Sequence, residues 1–215
     1  MPSIPNTNRG LPRSVEAGLA VFGLALTAPL WILAAVLIKL ESNGPVLFRQ
    51  LRMGRGGKPF TLLKFRSMRV SDKGSLVTAA GDDRITKIGR IIRRTKIDEL
   101  PELWNIVRGE MSIVGPRPEV PELVDLGDLQ WTEILTVNPG LTDPVTLKLR
   151  NEEQLLAQAS DREEFYRNTL QPYKLRGYLD FVRNRTWKTD VNIIFRTMKA
   201  VVFPRTVQQP TIEEG

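Results

Sequence analysis

Asp98 and Glu99 stand side by side in the run Arg93-Arg94-Thr95-Lys96-Ile97-Asp98-Glu99-Leu100-Pro101-Glu102-Leu103-Trp104-Asn105, directly after a dense basic stretch. A carboxylate is a competent nucleophile toward phosphorus when cations or a metal neutralise the phosphate, and Asp98 can play that part. Glu99 can help hold Mg2+, a hard ion that takes one or two carboxylates together with water and substrate phosphate. The chain contains no Cys and no His. Thiolate nucleophiles, imidazole bases and zinc-thiolate sites are therefore excluded, and the chemistry is left to carboxylates, Lys, Arg, hydroxyls or a bound metal. Adjacent acids in a first helical turn also have a plain explanation, because they complement the helix dipole and cap free amides. The surrounding basic density and an apolar segment near the N-terminus tip the balance toward an enzyme that joins a water-soluble anion to something in the bilayer.

The cations come from several places. In Lys64-Phe65-Arg66-Ser67-Met68-Arg69 the basic residues alternate along an extended segment with Phe65 on the other side. Beside an active site Lys64 and Arg66 would hold phosphate; elsewhere they would be a solvated face. Arg117, between Pro116 and Pro118, is presented with little conformational freedom. The glycines of Met53-Gly54-Arg55-Gly56-Gly57-Lys58-Pro59 can cradle phosphate, although such a turn is most often only a loop. Overall the 215 residues carry 31 Lys and Arg against 24 Asp and Glu, a formal +7, which favours an anionic partner. Nucleic-acid signatures are missing and the basic residues are scattered among acidic ones after Glu119.

These residues need elements to position them. Ala17 to Ile38 contains no charged residue, and about 20 apolar residues suffice to cross a bilayer core. Pro29 sits near the middle and removes one helical hydrogen bond, which predicts a kink, with Thr27 placed to help re-satisfy the freed carbonyls. Arg9 and Arg13 precede the stretch while Lys39, Arg49, Arg52, Arg55 and Lys58 follow it. A helix that enters, bends at Pro29 and leaves on the same side keeps both basic flanks in the cytoplasm, whereas a straight span would export one of them. A buried core helix is the competing reading; a signal peptide fits poorly, since no small-residue cleavage site follows.

Val46-Leu47-Phe48 and Phe60-Thr61-Leu62-Leu63 read as the strands of a hairpin around the glycine-rich loop. The polar segment Ser71 to Asp83 is expected to be a mobile surface loop. An amphipathic helix is expected from about Arg84 through Ile92, and a second one opens at the carboxylate pair with Pro101 in its first turn. Further amphipathic helices are expected at Val120 to Leu126, Leu129 to Val137, Glu152 to Ala159, Arg162 to Leu170, Leu175 to Arg183 and Asp190 to Val202, with a turn at Asn138-Pro139-Gly140. The expected fold is α+β: a kinked re-entrant membrane helix, a small β-hairpin or sheet, and several amphipathic helices. Its organisation is residues 1–13 as a polar segment, 14–40 as the membrane helix, 41–203 as a catalytic domain and 204–215 as a polar tail.

Taken in order, Leu40 to Gly44 with Pro45-Val46-Leu47-Phe48, Gln50, Arg52, Gly54, Lys64-Phe65-Arg66-Ser67-Met68, Asp98-Glu99-Leu100-Pro101, Gly115-Pro116-Arg117-Pro118 and Pro139-Gly140-Leu141-Thr142 form a specific set spanning most of the chain. The set resembles the bacterial sugar transferase family, the monotopic phosphoglycosyl transferases that move a sugar-1-phosphate from a nucleoside diphosphate sugar to a polyprenyl phosphate. The resemblance implies a catalytic domain at the cytoplasmic face of the bacterial inner membrane, with helices lying at the interface. It also implies a covalent mechanism in which Asp98 takes the phosphosugar and Glu99 helps bind Mg2+. Lys64, Arg93 and Arg117 match basic positions of the family's motifs and are expected to contact phosphate, as is Arg150, which aligns less securely. With few polar residues before the apolar helix, the chain resembles the minimal form of the family, whose donor is commonly a UDP-sugar and whose acceptor is undecaprenyl phosphate. It departs from the common pattern at Glu16, where an Asp often opens the membrane helix, at Ala28, where a Ser can precede the proline, and at Lys96, where a small hydroxyl residue precedes the pair. Around Thr142-Asp143-Pro144 and Lys148-Leu149-Arg150-Asn151 it replaces Gly-containing forms. The competing classes are a non-catalytic basic protein of the membrane surface and a membrane glycosyltransferase that moves sugar only; a homodimer, the sugar and the pathway are left open.

Overall fold

The computed structural model describes residues 10–69, 81–149 and 152–203. Most of the expected loop Ser71–Asp83, Arg150 and the tail 204–215 lie outside the described residues. In chain order the elements are α1 (Arg13–Glu41), β1 (Leu47–Met53), β2 (Pro59–Phe65), α2 (Lys87–Arg94), a 3-10 turn (Ile97–Glu99), α3 (Glu102–Arg108), β3 (Ser112–Val114), α4 (Leu129–Ile134), β4 (Gly140–Thr142), α5 (Pro144–Lys148), α6 (Glu152–Gln158), α7 (Arg162–Phe165), a π-helical turn (Tyr166–Leu170), α8 (Gln171–Asn184) and α9 (Trp187–Val202). The architecture is α+β, with two small two-stranded sheets set among helices.

α1 is 29 residues long and apolar enough to cross a membrane. It is not a core helix. Phe22, Leu26, Ile32, Leu33 and Val36 are exposed, and only Glu16, Ala20, Ala34 and Ile38 are buried. A surface so apolar and so bare is stable against lipid, not water, which makes this a membrane-associated chain. The helix continues through Pro29. Thr27 Oγ1 donates to the Gly23 carbonyl at 2.7 Å. That differs from the expectation, because the carbonyl Pro29 leaves unpaired is the one four residues earlier, at Ala25.

Small residues let α1 approach the rest of the protein. Ala20 packs with Phe60, Leu62, Ile106 and Met111, while Ala34 and Ile38 pack with Phe65 and Ile92. Polar groups fasten both ends to that same body. At the start, Arg13 donates to the Val107 carbonyl at 3.0 Å and Glu16 accepts from the Ile113 amide at 3.0 Å. At the other end, Glu41 accepts from the amides of Lys87 and Ile88 at 2.7 and 2.9 Å, capping α2 together with the Thr86 side chain.

β1 and β2 form the expected hairpin, antiparallel from Leu47 opposite Phe65 to Met53 opposite Pro59. Its glycine-rich loop is structural: the Gly54 amide donates to the Lys58 carbonyl, Gly56 to Leu135 and Gly57 to Gly54. Those amides are not offered to a phosphate. The second sheet was not foreseen. β3 and β4 are parallel, Ser112 opposite Gly140 and Val114 opposite Thr142. A Cβ on Gly140 would lie 2.1 Å from the Gly115 amide nitrogen, so the close approach of the two chains requires glycine there. Strands of three residues are too short for a periodic signal.

The later helices mostly match their expected positions. Val120 to Leu126 does not: only a 3-10 turn, Pro121–Leu123, forms there. α7, the π turn and α8 run on without a break from Arg162 to Asn184, enclosing a core of Trp131, Ile134, Leu156, Leu170 and Leu175. Because Glu41 satisfies two free amides of α2 from outside that helix, Glu41→Ala is expected to cost about 1 kcal/mol. In a thermal melt of the detergent-solubilised protein that is a fall of about 2–4 °C, and an unchanged melting temperature would show the cap to be idle.

Candidate active site

The carboxylate pair sits in the 3-10 turn Ile97–Glu99, just ahead of α3, whose N-cap is Pro101. The turn is set by Lys96, whose φ of 60° is the one left-handed non-glycine conformation among the described residues. A side chain in that region is disfavoured and persists only where surrounding structure enforces it. Here the payoff is geometric: the reversal brings Lys96 Nζ to 3.5 Å from Glu99 Oε1. The departure noted at this position thus contributes a cation to the site.

Two more cations reach the same oxygen. Lys64 Nζ lies 3.4 Å and Arg117 Nη2 3.1 Å from Glu99 Oε1. Lys64 is brought there by a buried clamp. Asn105, on α3, accepts from the Leu63 amide at 3.1 Å and donates to the Thr61 carbonyl at 2.8 Å, fixing β2 against α3. Arg117 is held by the β3–β4 pairing on its N-terminal side, where Gly115 N donates to Thr142 O at 3.0 Å and Gly140 N to Pro116 O at 2.9 Å. Two sequence motifs that seemed independent are therefore one structural unit.

Asp98 is 6 % exposed, and its Oδ1 has no hydrogen-bond partner among the described residues. Burial, reinforced by the neighbouring charge of Glu99, pushes its carboxyl above the usual aspartate range, against the pull of Lys64, Lys96 and Arg93. Glu99 goes the other way. Burial opposes its charge, but Lys96, Lys64 and Arg117 outweigh that and hold it well below the usual glutamate range. The two carboxyls are adjacent yet chemically divided: one kept ionised by cations, the other left with unsatisfied basicity.

Glu102 completes the cluster and was not singled out in the sequence, where it reads as an ordinary first-turn acid. It is 1 % exposed, with Oε1 3.1 Å from Lys64 Nζ, and burial raises its pKa. Lys64 is therefore shared between Glu99 and Glu102. Asn105 was likewise unmarked, and Lys96 was noted only as a departure from the family's pattern.

Asp98, Glu99, Lys64, Arg66, Arg93 and Arg117 all line one cleft of about 1860 Å³. Their engagements differ. Arg93 reaches Ser67 Oγ at 3.3 Å and pairs with Glu153. Arg66 is turned away to the α1–β1 connection, donating to the carbonyls of Asn43 and Ser42 at 2.6 and 2.7 Å. No cluster of three or more acidic side chains able to hold a metal alone occurs among the described residues. A hard cation would thus complete its shell with substrate oxygens, which is how magnesium is commonly bound, so an oxygen donor set around Glu99 fits it.

A cation-ringed carboxylate pair, in a wide cleft that also reaches Leu30 of the membrane helix, has the features of an enzyme site for an anionic substrate beside a bilayer. Comparison with known proteins gives the family: residues 7–204 match the bacterial sugar transferase family, to which the chain belongs. It is 37 % identical over 195 residues to a UDP-glucose:undecaprenyl-phosphate glucose-1-phosphate transferase of Caulobacter vibrioides, covering 88 % of this chain and 69 % of that protein. A protein of the same name from Xanthomonas campestris pv. campestris is 49 % identical over 199 residues, 87 % of this chain but 38 % of that one. The exopolysaccharide production protein PSS of Rhizobium leguminosarum bv. phaseoli is 46 % identical over 199 residues, 87 % of this chain and 93 % of its own length.

Asp98, buried with one oxygen unpaired, generates a stability prediction. A carboxyl with a raised folded pKa favours folding below its unfolded pKa and opposes it as pH rises through the folded one. Asp98→Asn removes that opposition at neutral pH. The variant is expected to melt about 2–4 °C above the parent at pH 7, the response of a chain this size to about 1 kcal/mol. The gain should shrink as pH falls and Asp98 becomes neutral in the parent; a gain that grows on acidification would contradict the raised pKa.

Proposed function

We propose that the chain transfers a sugar-1-phosphate from a UDP-sugar to undecaprenyl phosphate, releasing UMP, through a covalent phosphosugar on Asp98. The observation that carries this is the division of labour in the pair: Glu99 absorbs the cations while Asp98, lining the same cleft, keeps an oxygen without a partner. An Asp98 oxygen attacks the phosphorus that bears the sugar, and the bond from that phosphorus to the bridging oxygen breaks, so UMP leaves with the bridging oxygen. An oxygen of undecaprenyl phosphate then attacks the same phosphorus, the Asp98 oxygen–phosphorus bond breaks, and the carboxylate is restored. The names of the relatives, with glucose-1-phosphate as the transferred group and undecaprenyl phosphate as the acceptor, support this reaction class.

The chain's own residues supply positioning and charge. Arg117, Lys96 and Lys64 face the pair and would hold the donor's phosphates, with Arg93 beside Asp98. Their charges are already matched: four cations face the four carboxylates Asp98, Glu99, Glu102 and Glu153. A diphosphate therefore meets little spare positive charge, which is the physical reason to assign Mg2+ here. Glu99 would hold it with the donor's oxygens, and when bound it would neutralise charge on the leaving phosphate. Arg66 holds the connection between α1 and β1.

The ends of α1 support the membrane arrangement proposed here. Both are fastened to one body, and a straight span would place them on opposite sides of the bilayer; a re-entrant helix at the cytoplasmic face of the inner membrane reconciles the two. Within the bilayer the cleft edge at Leu30 would receive the polyprenyl carrier.

With UDP-sugar carrying label in the sugar-bearing phosphate, the label is expected on the lipid; a transferase moving only sugar would leave it on the nucleotide. Asp98→Asn should abolish turnover together with the mass gain of the phosphosugar adduct, and chelation should stop the parent. Undiminished activity in the variant would sink the nucleophile, and turnover in thorough chelation the metal. Pro29→Leu is expected to move the N-terminus toward the far side of the membrane in an accessibility assay, and an unmoved N-terminus would remove the proline's role.

A further inference from the structure

A second polar cluster lines the same cleft, built from elements distant in sequence. Tyr166 donates its hydroxyl proton to Glu119, and Lys174 donates to Tyr166 Oη at 3.2 Å and to Glu152 Oε1 at 2.8 Å. Arg52, from β1, closes the group with Nη1 3.4 Å from Glu119 Oε1. All five residues line the cleft that holds Asp98 and Glu99. Tyr166 opens the π-helical turn inside the long helix that runs through α7 and α8, a distortion that costs regular hydrogen bonding and occurs frequently at functional sites. The Lys174 side chain is only 7 % exposed, yet it is kept charged inside the protein, chiefly by Glu152, rather than replaced by an apolar residue.

The position of the cluster says what it can read. Arg117 touches Glu99, and Glu119 follows two residues later across Pro118. Two extended residues separate the Cα atoms of Arg117 and Glu119 by at most about 7 Å, and the charges of both Glu99 and Glu152 act on the Arg117 guanidinium, so the two clusters adjoin within the cleft. The group attached to the attacked phosphorus is the hexose. Carboxylates accept from sugar hydroxyls and an ammonium donates to them, which matches Glu119, Glu152 and Lys174. The other two parts of the substrates fit worse. A nucleobase is held best by an open aromatic ring, and one face of Tyr166 is already taken by Lys174 Nζ, 4.7 Å from the ring centroid. An isoprenoid chain needs an apolar wall, which these charged groups do not provide.

We propose that Glu119, Tyr166, Lys174 and Glu152 form the subsite that recognises the hydroxyl groups of the donor's hexose and so sets sugar specificity. This rests on the phosphosugar transfer assigned above. Glu119 and Glu152 accept hydroxyl protons, Lys174 donates, and Tyr166 locks Glu119 and Lys174 in register. A site built to hydrogen-bond a hydroxyl penalises a donor that lacks or inverts it, because its own buried polar groups are left unpaired.

The test measures kcat/KM for the preferred UDP-hexose, its epimers and its monodeoxy analogues, in the parent and in Glu152→Gln and Tyr166→Phe, with melting temperatures confirming that each variant folds. The expected result is that discrimination between the preferred donor and at least one epimer or deoxy analogue is compressed about 10-fold or more in Glu152→Gln, with a smaller compression in Tyr166→Phe. A general loss of activity cancels in this ratio. If both variants slow every donor equally, the cluster is merely structural and the subsite is overturned. If neither folds, Lys174→Arg, which keeps the charge, must shift the ratio, and an unchanged ratio there overturns it too. If the parent itself passes no labelled phosphate to lipid from any UDP-hexose, the transfer reaction fails and the subsite with it.

Discussion

The structure turns on keeping three carboxylates, Asp98, Glu99 and Glu102, largely out of water while one oxygen of Asp98 is left without a partner. Removing a single carboxylate from water costs several kcal/mol unless charges and hydrogen bonds replace its hydration. The replacement comes from four different parts of the chain: Lys64 from β2, Arg93 from α2, Lys96 from the left-handed residue before the pair, and Arg117 from the rigid segment after β3. The fold can be read as the scaffold that brings these four together. Asn105 sets β2 against α3, the glycine contact of β3 and β4 fixes the base of Arg117, and Glu41 with Thr86 fixes the start of α2.

The membrane helix is part of that scaffold as well as an anchor. Along its length it offers lipid a bare apolar surface, while a narrow set of small residues, Ala20 and Ala34, lets it lie close to the body that carries the site. Its polar contacts are confined to the ends, where the bilayer does not penalise them. Arg13 and Glu16 bond to the α3–β3 region and Glu41 to α2, the segments on either side of the carboxylate pair. Seating of the helix and geometry of the site are therefore mechanically linked.

Leu30 of the membrane helix, the cations around the carboxylate pair and the Glu119–Tyr166–Lys174–Glu152 cluster all line one cleft. In the reaction proposed above, an apolar carrier, a phosphate and a sugar would share that space. It gives a physical sense to a chain in which charge alternates so densely around one apolar helix.

What the sequence by itself determined was local. An uncharged stretch with a central proline, a hairpin signal around a glycine loop, helical stripes and two adjacent acids after a basic run are each set by neighbours within a few residues, so their types and most of their positions were legible. The glycine loop and Arg66 show the limit: both resemble phosphate binders in sequence, yet the loop amides pair among backbone carbonyls and the guanidinium faces Ser42 and Asn43. Only the tertiary structure decided which cations meet which carboxylates. Glu102, Lys96, Asn105 and the Glu119–Tyr166–Lys174–Glu152 group draw their roles from partners mostly tens of residues away, or, for Lys96, from a backbone conformation that its residue type disfavours. Burial and long-range charge are properties of packing, and no spacing rule along the chain encodes them.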